Sequence, residues 1–222
     1  SEVITDVLCV GGHNGSIDLT VPGGPTCSSF AWPGPAGYNS VSEDPSVMEA
    51  GSYDITVTDA NGCTISDTYV VTEPAALTLA LTPTDPNCGN SDGSVSAVGG
   101  GGAPGYNYAW FDDALLTSNI GAGTSVSHLA PGTFYCQIPD VTGCTLVATV
   151  TLTNQAGAAI SVSLNSNASG FGVCDGNATV NIVGGTAPFT YAWDNGVVPN
   201  QPFAVFNNSS FVVEGTDAQG CK

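Results

Sequence analysis

The sequence repeats itself three times. An Asp-x-x-Gly-Cys motif recurs at spacings of 81 and 77 residues and ends at Cys63, Cys144 and Cys221. An aromatic-Ala-Trp motif recurs at spacings of 78 and 83 residues and ends at Trp32, Trp110 and Trp193. Self-similarity at a fixed period indicates tandem copies of one structural unit. The chain is therefore predicted to hold three copies of a domain of ~80 residues.

The same period divides the chain into modules at residues 1–74, 75–156 and 157–222. Glu73-Pro74 makes a short, stiff joint, and Thr153 to Ala158 makes a looser one. Short joints between such modules predict an extended rod. A strand-like run follows the motif cysteine in the first two modules, but only Lys222 follows Cys221. We therefore expect the third module to lack its last strand. Three explanations are open: the repeat array continues beyond this sequence, the chain was cut at Lys222, or another chain donates the strand.

Composition and turn signals predict an all-β fold. The chain has 29 Gly and 14 Pro in 222 residues, and no run has a convincing helical period. Asn14-Gly15 and Asp92-Gly93 are typical of tight hairpins. About seven short strands per ~80 residues predict an immunoglobulin-like β-sandwich, so we expect three such sandwiches in tandem. Runs with the alternation of half-buried strands lie at residues 16–21, 53–59, 77–82, 145–153 and 159–164.

The repeated tryptophans are predicted to be core residues. Trp32, Trp110 and Trp193 occupy the same place in each module, on a run expected to be a central strand. Tryptophan on a loop suits stacking on a sugar, but a position repeated in every module favours packing of the core.

The eight cysteines favour disulfides over a metal site. There is no Cys-x-x-Cys pair and there are only 2 His, which argues against zinc. Cys27 and Cys136 have no counterpart in the other modules, and Cys136 is predicted to be a core residue. Disulfides imply an oxidising, extracellular setting. The repeated positions predict one bridge within each module, with buried free thiols as the alternative, and the pairs would be Cys9 with Cys63, Cys88 with Cys144 and Cys174 with Cys221.

The net charge of the chain restricts which classes of partner it can bind. One basic residue stands against 19 acidic ones, for a formal net charge of -18. Nucleic acid and anionic membrane surfaces would be repelled by such a chain. The sequence also has no transmembrane run, so we expect no direct membrane insertion.

Calcium is the one metal that the acidic residues suggest. Carboxylate and amide oxygens at turns are ligands that Ca²⁺ accepts, and the candidates are Asp59, Asn61 and Asp217. No complete Asp-x-Asp-x-Asp-Gly loop is present, so the more favoured interpretation is a solvated acidic surface. No other cofactor is predicted.

Catalytic residues are not predicted. His13 lies in a turn and His128 in a Val-Ser-His-Leu run, and neither has a partner repeated between modules. Both are expected at a surface turn or a strand edge. Any Ser-His-Asp or paired-carboxylate site drawn from this sequence would be arbitrary.

Taken together, the motifs resemble the SprB repeat, a module of very large surface adhesins in gliding bacteria that use type IX secretion. The middle of the third module (Gly184 to Gly196) and the end of the first (Ala50 to Pro74) carry the resemblance most closely. It implies an extracellular, cell-anchored stalk or fibre that acts in adhesion, surface motility or capture of other cells. Departures occur around Cys27 and in a longer segment of the second module.

Two classes of function follow. In the first, the chain is a non-catalytic structural or adhesive segment of a surface fibre that assembles into filaments or homo-oligomers and contacts surface glycans or cells. In the second, its modules are glycan- or calcium-binding accessories of a large secreted enzyme. The unbroken repeat favours the first.

Overall fold

The computed structural model describes residues 1–21, 29–155, 157–167, 169–170, 176–193, 203–206 and 212–222. These residues form β-strands joined by loops, with one short 3-10 turn at Pro35–Gly37, so the predicted all-β class is confirmed. They group into two compact units. The first holds Ser1–Ala80, Ala97–Ala109 and Cys136–Ala148, and the second holds Leu81–Ser96, Trp110–Tyr135 and Thr149–Lys222.

The first repeat is a two-sheet sandwich. Its strands are β1 (Glu2–Thr5), β2 (Gly15–Leu19), β3 (Ser29–Pro33), β4 (Asn39–Ser40), β5 (Ser46–Met48), β6 (Gly51–Thr58) and β7 (Thr64–Val71). One sheet has the order β1-β2-β5 and the other β4-β3-β6-β7. Buried side chains from both sheets, including Ile17, Met48 and Val71, form one core cluster. This strand order, with the chain crossing between two antiparallel sheets, is the immunoglobulin-like arrangement.

Two aromatic residues fix the core of the first repeat. Trp32 on β3 is fully buried, and its indole Nε1–H donates to the carbonyl oxygen of Ser42 at 2.8 Å. Tyr53, near the start of β6, is also buried, and its hydroxyl donates to the carbonyl oxygen of Glu49 at 2.8 Å. Both features are hallmarks of immunoglobulin-like sandwiches. One is a buried tryptophan on the third strand. The other is a tyrosine near the start of the next-to-last strand, whose hydroxyl donates to a backbone carbonyl a few residues earlier.

The second repeat has the same strand order. Its sheets are ordered β12-β9-β8 and β11-β10-β13-β14. Trp110 on β10 is fully buried, and its Nε1–H donates to the carbonyl oxygen of Gly123 at 2.9 Å. Cys136 on β13 is a buried free thiol, as expected for a core residue. The strands are β8 (Thr78–Thr84), β9 (Gly93–Gly100), β10 (Ala109–Phe111), β11 (Asn119–Ala122), β12 (Ser125–Leu129), β13 (Gly132–Pro139) and β14 (Thr145–Leu152).

The third repeat contributes two smaller sheets in the described residues, with the orders β15-β16-β18 and β17-β19. Trp193, at the end of β17, is half-buried, while Ala178 and Val180 on β16 are buried. Only Lys222 follows Cys221 in the sequence. The strands are β15 (Ala159–Ser166), β16 (Gly176–Val183), β17 (Thr190–Trp193), β18 (Phe203–Phe206) and β19 (Val213–Thr216).

The five strand-like runs picked out from sequence coincide with β2, β6, β8, β14 and β15. The hairpin interpretation of Asn14-Gly15 and Asp92-Gly93 is wrong. Each glycine is the first residue of a strand, after a connection that spans residues 6–14 or 85–92, and neither has a positive φ. A β-carbon on Gly15 would lie 2.8 Å from Cγ1 of Val71, and one on Gly93 2.9 Å from the carbonyl oxygen of Leu129. Close packing, not turn geometry, requires glycine here.

Replacing Trp110 by alanine should destabilise the chain by about 3–5 kcal/mol, because it removes a fully buried aromatic side chain and its hydrogen bond. Leu115→Ala is the matched control, since Leu115 is 83% exposed and its loss should change the unfolding free energy by less than about 0.5 kcal/mol. Urea unfolding followed by far-UV circular dichroism measures both. Equal effects of the two substitutions would contradict the assignment of Trp110 to the core.

Candidate functional site: the cross-linked joints

The Asp-x-x-Gly-Cys motif forms the same tight turn in every repeat. In the first, the N–H of Asp59 donates to the carbonyl oxygen of Cys63 and the N–H of Gly62 donates to the carbonyl oxygen of Asp59, both at 3.0 Å. Gly62 has a φ of +84°, a left-handed conformation that favours glycine. The other two turns repeat this pattern. We call these segments the capped turns; they are Asp59–Cys63, Asp140–Cys144 and Asp217–Cys221.

The aspartate side chain closes each capped turn. Oδ1 of Asp59 accepts the N–H groups of Asn61 and Cys63, both at 2.8 Å. The carboxylates of Asp140 and Asp217 accept the N–H groups two and four residues further on in the same way, at 2.9 Å. Aspartate is suited to this role because its short side chain bonds the backbone that follows it. The motif thus specifies a turn: aspartate caps it, and glycine supplies its backbone conformation.

In the second and third repeats the carboxylate also reaches the loop ahead of the tryptophan strand. Oδ2 of Asp140 accepts the N–H of Ala103 at 3.0 Å, and Oδ2 of Asp217 accepts the N–H of Thr186 at 3.0 Å. These aspartates are buried, with 5% and 6% of their surface exposed. The same sequence position in the first repeat is Pro25, which has no N–H and lies outside the described residues.

These hydrogen bonds set the ionisation of the carboxylates. The N–H of Ala103, the Thr142 hydroxyl and the N–H of Cys144 hold the pKa of Asp140 at about 2, below its ordinary value of 3.8. Backbone N–H groups also lower the pKa of Asp59 and that of Asp217. All three caps are therefore charged at neutral pH.

The calcium candidates occupy capped turns. Oδ1 of Asp59 and Oδ1 of Asp217 each accept two backbone N–H groups, and Asn61 contributes one of them through its backbone. Asp59 belongs to the first unit and Asp217 to the second. Across the part of the chain that is described, no three His, Cys, Asp or Glu side chains are grouped to hold a metal ion.

The predicted disulfide pairing is wrong. Cys9 is bonded to Cys144, with the Cα atoms 5.7 Å apart, and Cys88 is bonded to Cys221, with the Cα atoms 5.2 Å apart. Cys63 is an exposed free thiol. Cys27 and Cys174 lie outside the described residues. Each bridge therefore joins one repeat to the capped turn of the next, and not the two ends of a single repeat.

The length of β7 explains why Cys9 does not pair with Cys63. Cys63 precedes β7, which has 8 residues and spans ~26 Å at ~3.3 Å per residue. The loop that carries Cys9 lies at the other end of this strand, where the N–H of Val7 donates to the carbonyl oxygen of Thr72 at 2.9 Å. A disulfide needs Cα atoms within about 7 Å of one another, so β7 keeps these two cysteines apart.

We call residues 6–14 and 85–92 the first loops, and each is bonded to the linker that leaves its own repeat. Oδ1 of Asp6 accepts the N–H of Thr72 at 2.7 Å, and the N–H of Gly11 donates to the Glu73 carboxylate at 2.7 Å. In the second repeat, Oδ1 of Asp85 accepts the N–H of Thr153 at 2.8 Å. Each first-loop cysteine is thus presented beside the chain that enters the next repeat.

The next repeat contacts this linker through a Gly-Gly pair, which we call the Gly-Gly corner and which is Gly101-Gly102 in the second repeat and Gly184-Gly185 in the third. The N–H of Gly102 donates to the carbonyl oxygen of Ala75 at 2.8 Å, and a β-carbon on Gly101 would overlap the carbonyl oxygen of Ala76. At the second linker, a β-carbon on Gly185 would lie 2.8 Å from that of Ala158. No larger residue fits these contacts. We call each assembly of first loop, linker, Gly-Gly corner and capped turn a joint.

The two histidines lie at the surface, as predicted. His13 is exposed in the first loop, with Nδ1 3.8 Å from a carboxylate oxygen of Glu49. His128 is exposed on β12, an edge strand. The one buried free thiol in the described residues, Cys136, has its pKa raised to about 11 by burial, so it is protonated at neutral pH.

One known protein family matches a segment in each of the three repeats. The model of the SprB repeat matches residues 1–37, 80–115 and 166–198. No curated relative matches this sequence. The matched segments contain the first loops and the tryptophan strands but not the capped turns.

Solved immunoglobulin-domain structures are similar to the chain at low identity. An eight-domain fragment of the Down Syndrome Cell Adhesion Molecule shares 13% identity over 79% of this chain and 29% of its own, with a TM-score of 0.31. Murine CEACAM1b shares 14% over 69% of this chain and 100% of its own, with a TM-score of 0.28. Drosophila OTK, extracellular domains 3–5, shares 11% identity over 97% of this chain and 90% of its own, with a TM-score of 0.31. The chain thus spans less than a third of the length of the first of these.

Acid should weaken the capped turn Asp140–Cys144 through Asp140. Because folding lowers the pKa of Asp140 from 3.8 to about 2, the charged carboxylate stabilises the fold above pH ~4, and this contribution is lost as the pH falls towards 2. Asp140→Asn should therefore lower the melting temperature at pH 7 and flatten its fall between pH 4 and pH 2. Thermal melts of this variant and of Asp18→Asn, an exposed position on β2, provide the comparison. A fall as steep in Asp140→Asn as in the control would contradict this role.

Removing one bridge should destabilise its joint. The double variant Cys9→Ser/Cys144→Ser opens a loop closed across 135 residues and should cost about 2–5 kcal/mol. Cys63→Ser is the control, because it replaces an exposed free thiol and should change stability by less than about 0.5 kcal/mol. Calorimetry of both variants under non-reducing conditions measures the difference. Reduction of the wild type should shift its transition in the same direction as the double variant.

Proposed function

Because the chain carries three SprB repeats, we propose that it is a non-catalytic, load-bearing segment of a large adhesin that is secreted or displayed on the cell surface. Its disulfides belong in an oxidising compartment, which supports a place outside the cytosol. No helical segment in the described residues is long and apolar enough to cross a membrane.

The observation that carries this proposal is that the two disulfides overlap. One encloses residues 9–144 and the other residues 88–221, so both linkers lie inside closed loops. The shortest covalent route through the chain enters at Ser1, crosses from Cys9 to Cys144, returns to Cys88 and crosses to Cys221. It contains about 65 residues, so the oxidised chain extends to roughly 230 Å, against roughly 770 Å for the reduced chain at ~3.5 Å per residue. This pattern of disulfides limits how far the chain lengthens when it is pulled.

The finer roles that we propose are attachment to surfaces, gliding motility or capture of other cells by a fibre exported through type IX secretion. The net charge of -18 fits neutral partners such as surface glycans, or further copies of the same long chain, better than nucleic acid. In this proposal the chain needs no cofactor and does not insert into a membrane. Binding residues would lie in the loops that differ between repeats.

Force spectroscopy tests the load-bearing role. Single chains held at Ser1 and Lys222 are pulled under oxidising conditions and again with dithiothreitol. We expect the final extension to rise about threefold on reduction, because the covalent route lengthens from about 65 to about 220 residues. Cys9→Ser/Cys144→Ser should give an intermediate extension, since only one bridge remains. An oxidised chain that extends as far as the reduced one would contradict the proposal.

A further inference from the structure

The capped turn of the first repeat differs from the other two in the bonding of its cysteine. Cys144 and Cys221 are each bonded to the first-loop cysteine of the repeat before them, while Cys63 is exposed and unbonded. All other parts of the turn are present, because Asp59 caps it with the same hydrogen bonds, and Gly62 has the same backbone conformation as Gly143 and Gly220. The turn thus has the geometry of its two bonded counterparts.

Two joints show what binds at this position. At the first, Cys144 meets Cys9, and the hydroxyl of Thr142 in the same turn lies 3.5 Å from the carbonyl oxygen of Leu8 in the first loop. At the second, Cys221 meets Cys88. In both, the partner is a cysteine on a first loop, and the sequence separations of 135 and 133 residues are nearly equal. Bonding by the equivalent residues in two other repeats is evidence for a ligand at Cys63 that is independent of its exposure.

Within the described residues the chain does not supply this partner. Cys9 and Cys88 are already bonded, and Cys136 is buried. The eight-residue strand β7 also holds Cys63 away from the first loop of its own repeat.

We propose that the capped turn Asp59–Cys63 is a cross-linking site that forms a disulfide with the first-loop cysteine of another SprB repeat. The partner is identified by its chemistry: a cysteine on a loop between the first two strands of a SprB sandwich. That repeat lies ahead of the first one in the same polypeptide or belongs to a second copy of the chain. The inference extends the proposed function, since it carries the cross-linked path beyond the two bridges described above.

The bond forms by oxidation of two thiols. One S–S bond replaces two S–H bonds, and the two electrons and two protons reduce a disulfide oxidant, such as oxidised glutathione, to two thiols. An oxidising extracellular compartment supplies this class of oxidant.

A tandem variant tests the first source. A copy of residues 75–160 is placed before Ser1 of the full chain, and the copy's Cys144 is changed to Ser so that it adds no second acceptor. After equilibration in a glutathione redox buffer and alkylation, non-reduced peptide mapping should show Cys63 bonded to the copy's Cys88. Alkylation of Cys63 should fall about tenfold relative to the unextended chain, because the tether raises the local concentration of the partner thiol to ~mM. In the same tandem with Cys63→Ser, the copied Cys88 should remain open to alkylation.

The unextended chain tests the second source. It is oxidised at ~1 mM in 0.5 M salt, which screens the acidic surfaces, and is analysed by non-reducing electrophoresis. Dimers that disappear in Cys63→Ser, persist in Cys136→Ser and contain Cys63 linked to a first-loop cysteine by non-reduced peptide mapping would show that a second copy provides the partner. Dimers that link Cys63 to Cys63 would contradict this source. A bridge in the tandem without such dimers would assign the partner to the same polypeptide.

The inference would be overturned if Cys63 remained open to alkylation in both the tandem variant and the unextended chain. It would also be overturned if Cys63 formed a disulfide with a cysteine of its own unextended chain. The force measurement on the two existing bridges is unaffected by that result, so failure here is distinguishable from failure of the proposed function.

Discussion

The separation between the two ends of each sandwich controls how these repeats are linked. In the first repeat, β7 places Cys63 at one end and the linker from Thr72 at the other, beside the loop that holds Cys9. A bridge inside the repeat would have to span ~26 Å. The linker instead brings the capped turn of the second repeat to Cys9, and the disulfide forms there. The cross-linking pattern therefore follows from strand length.

The same constraint explains which residues recur in the sequence. Gly101 is required by contact with the linker, and Gly102 by contact with the linker and with Asp140 of its own capped turn. Asp140 caps its turn and also holds the loop at Ala103. The repeated motifs thus encode two surfaces: a core, marked by the tryptophans, and a joint, marked by Gly-Gly and Asp-x-x-Gly-Cys.

Sequence reasoning reached the core but not the joint. Alternating runs predicted β2, β6 and β14 because a half-buried strand shows its period locally. Recurrence of the tryptophans predicted core positions, and Trp32 and Trp110 are fully buried while Trp193 is half-buried. Pairing of the cysteines did not, because identical repeats make bonding within a repeat and bonding to the next repeat equally consistent with the spacing. Only the three-dimensional position of the loop that holds Cys9 decides between them.

The glycines at residues 15 and 93 show a second limit. Their sequence context is that of a tight hairpin, but each is selected by a close contact with a residue distant in the chain, such as Val71 or Leu129. A dipeptide signal reports local conformational freedom and carries no information on packing between sheets. Expectations built on Asn-Gly or Asp-Gly alone therefore fail wherever glycine is needed for space.

Bridges between successive repeats have a mechanical consequence that bridges within repeats would lack. If each repeat were closed on itself, a pulling force would pass along the backbone of each linker. With the observed pairs, the linkers at residues 73–77 and 153–158 lie inside loops closed by Cys9–Cys144 and Cys88–Cys221. Load then crosses each joint through a covalent S–S bond, while the hydrogen bonds of the capped turn keep that bond in place. In the proposed load-bearing role, the extension of such an array is therefore limited by its joints.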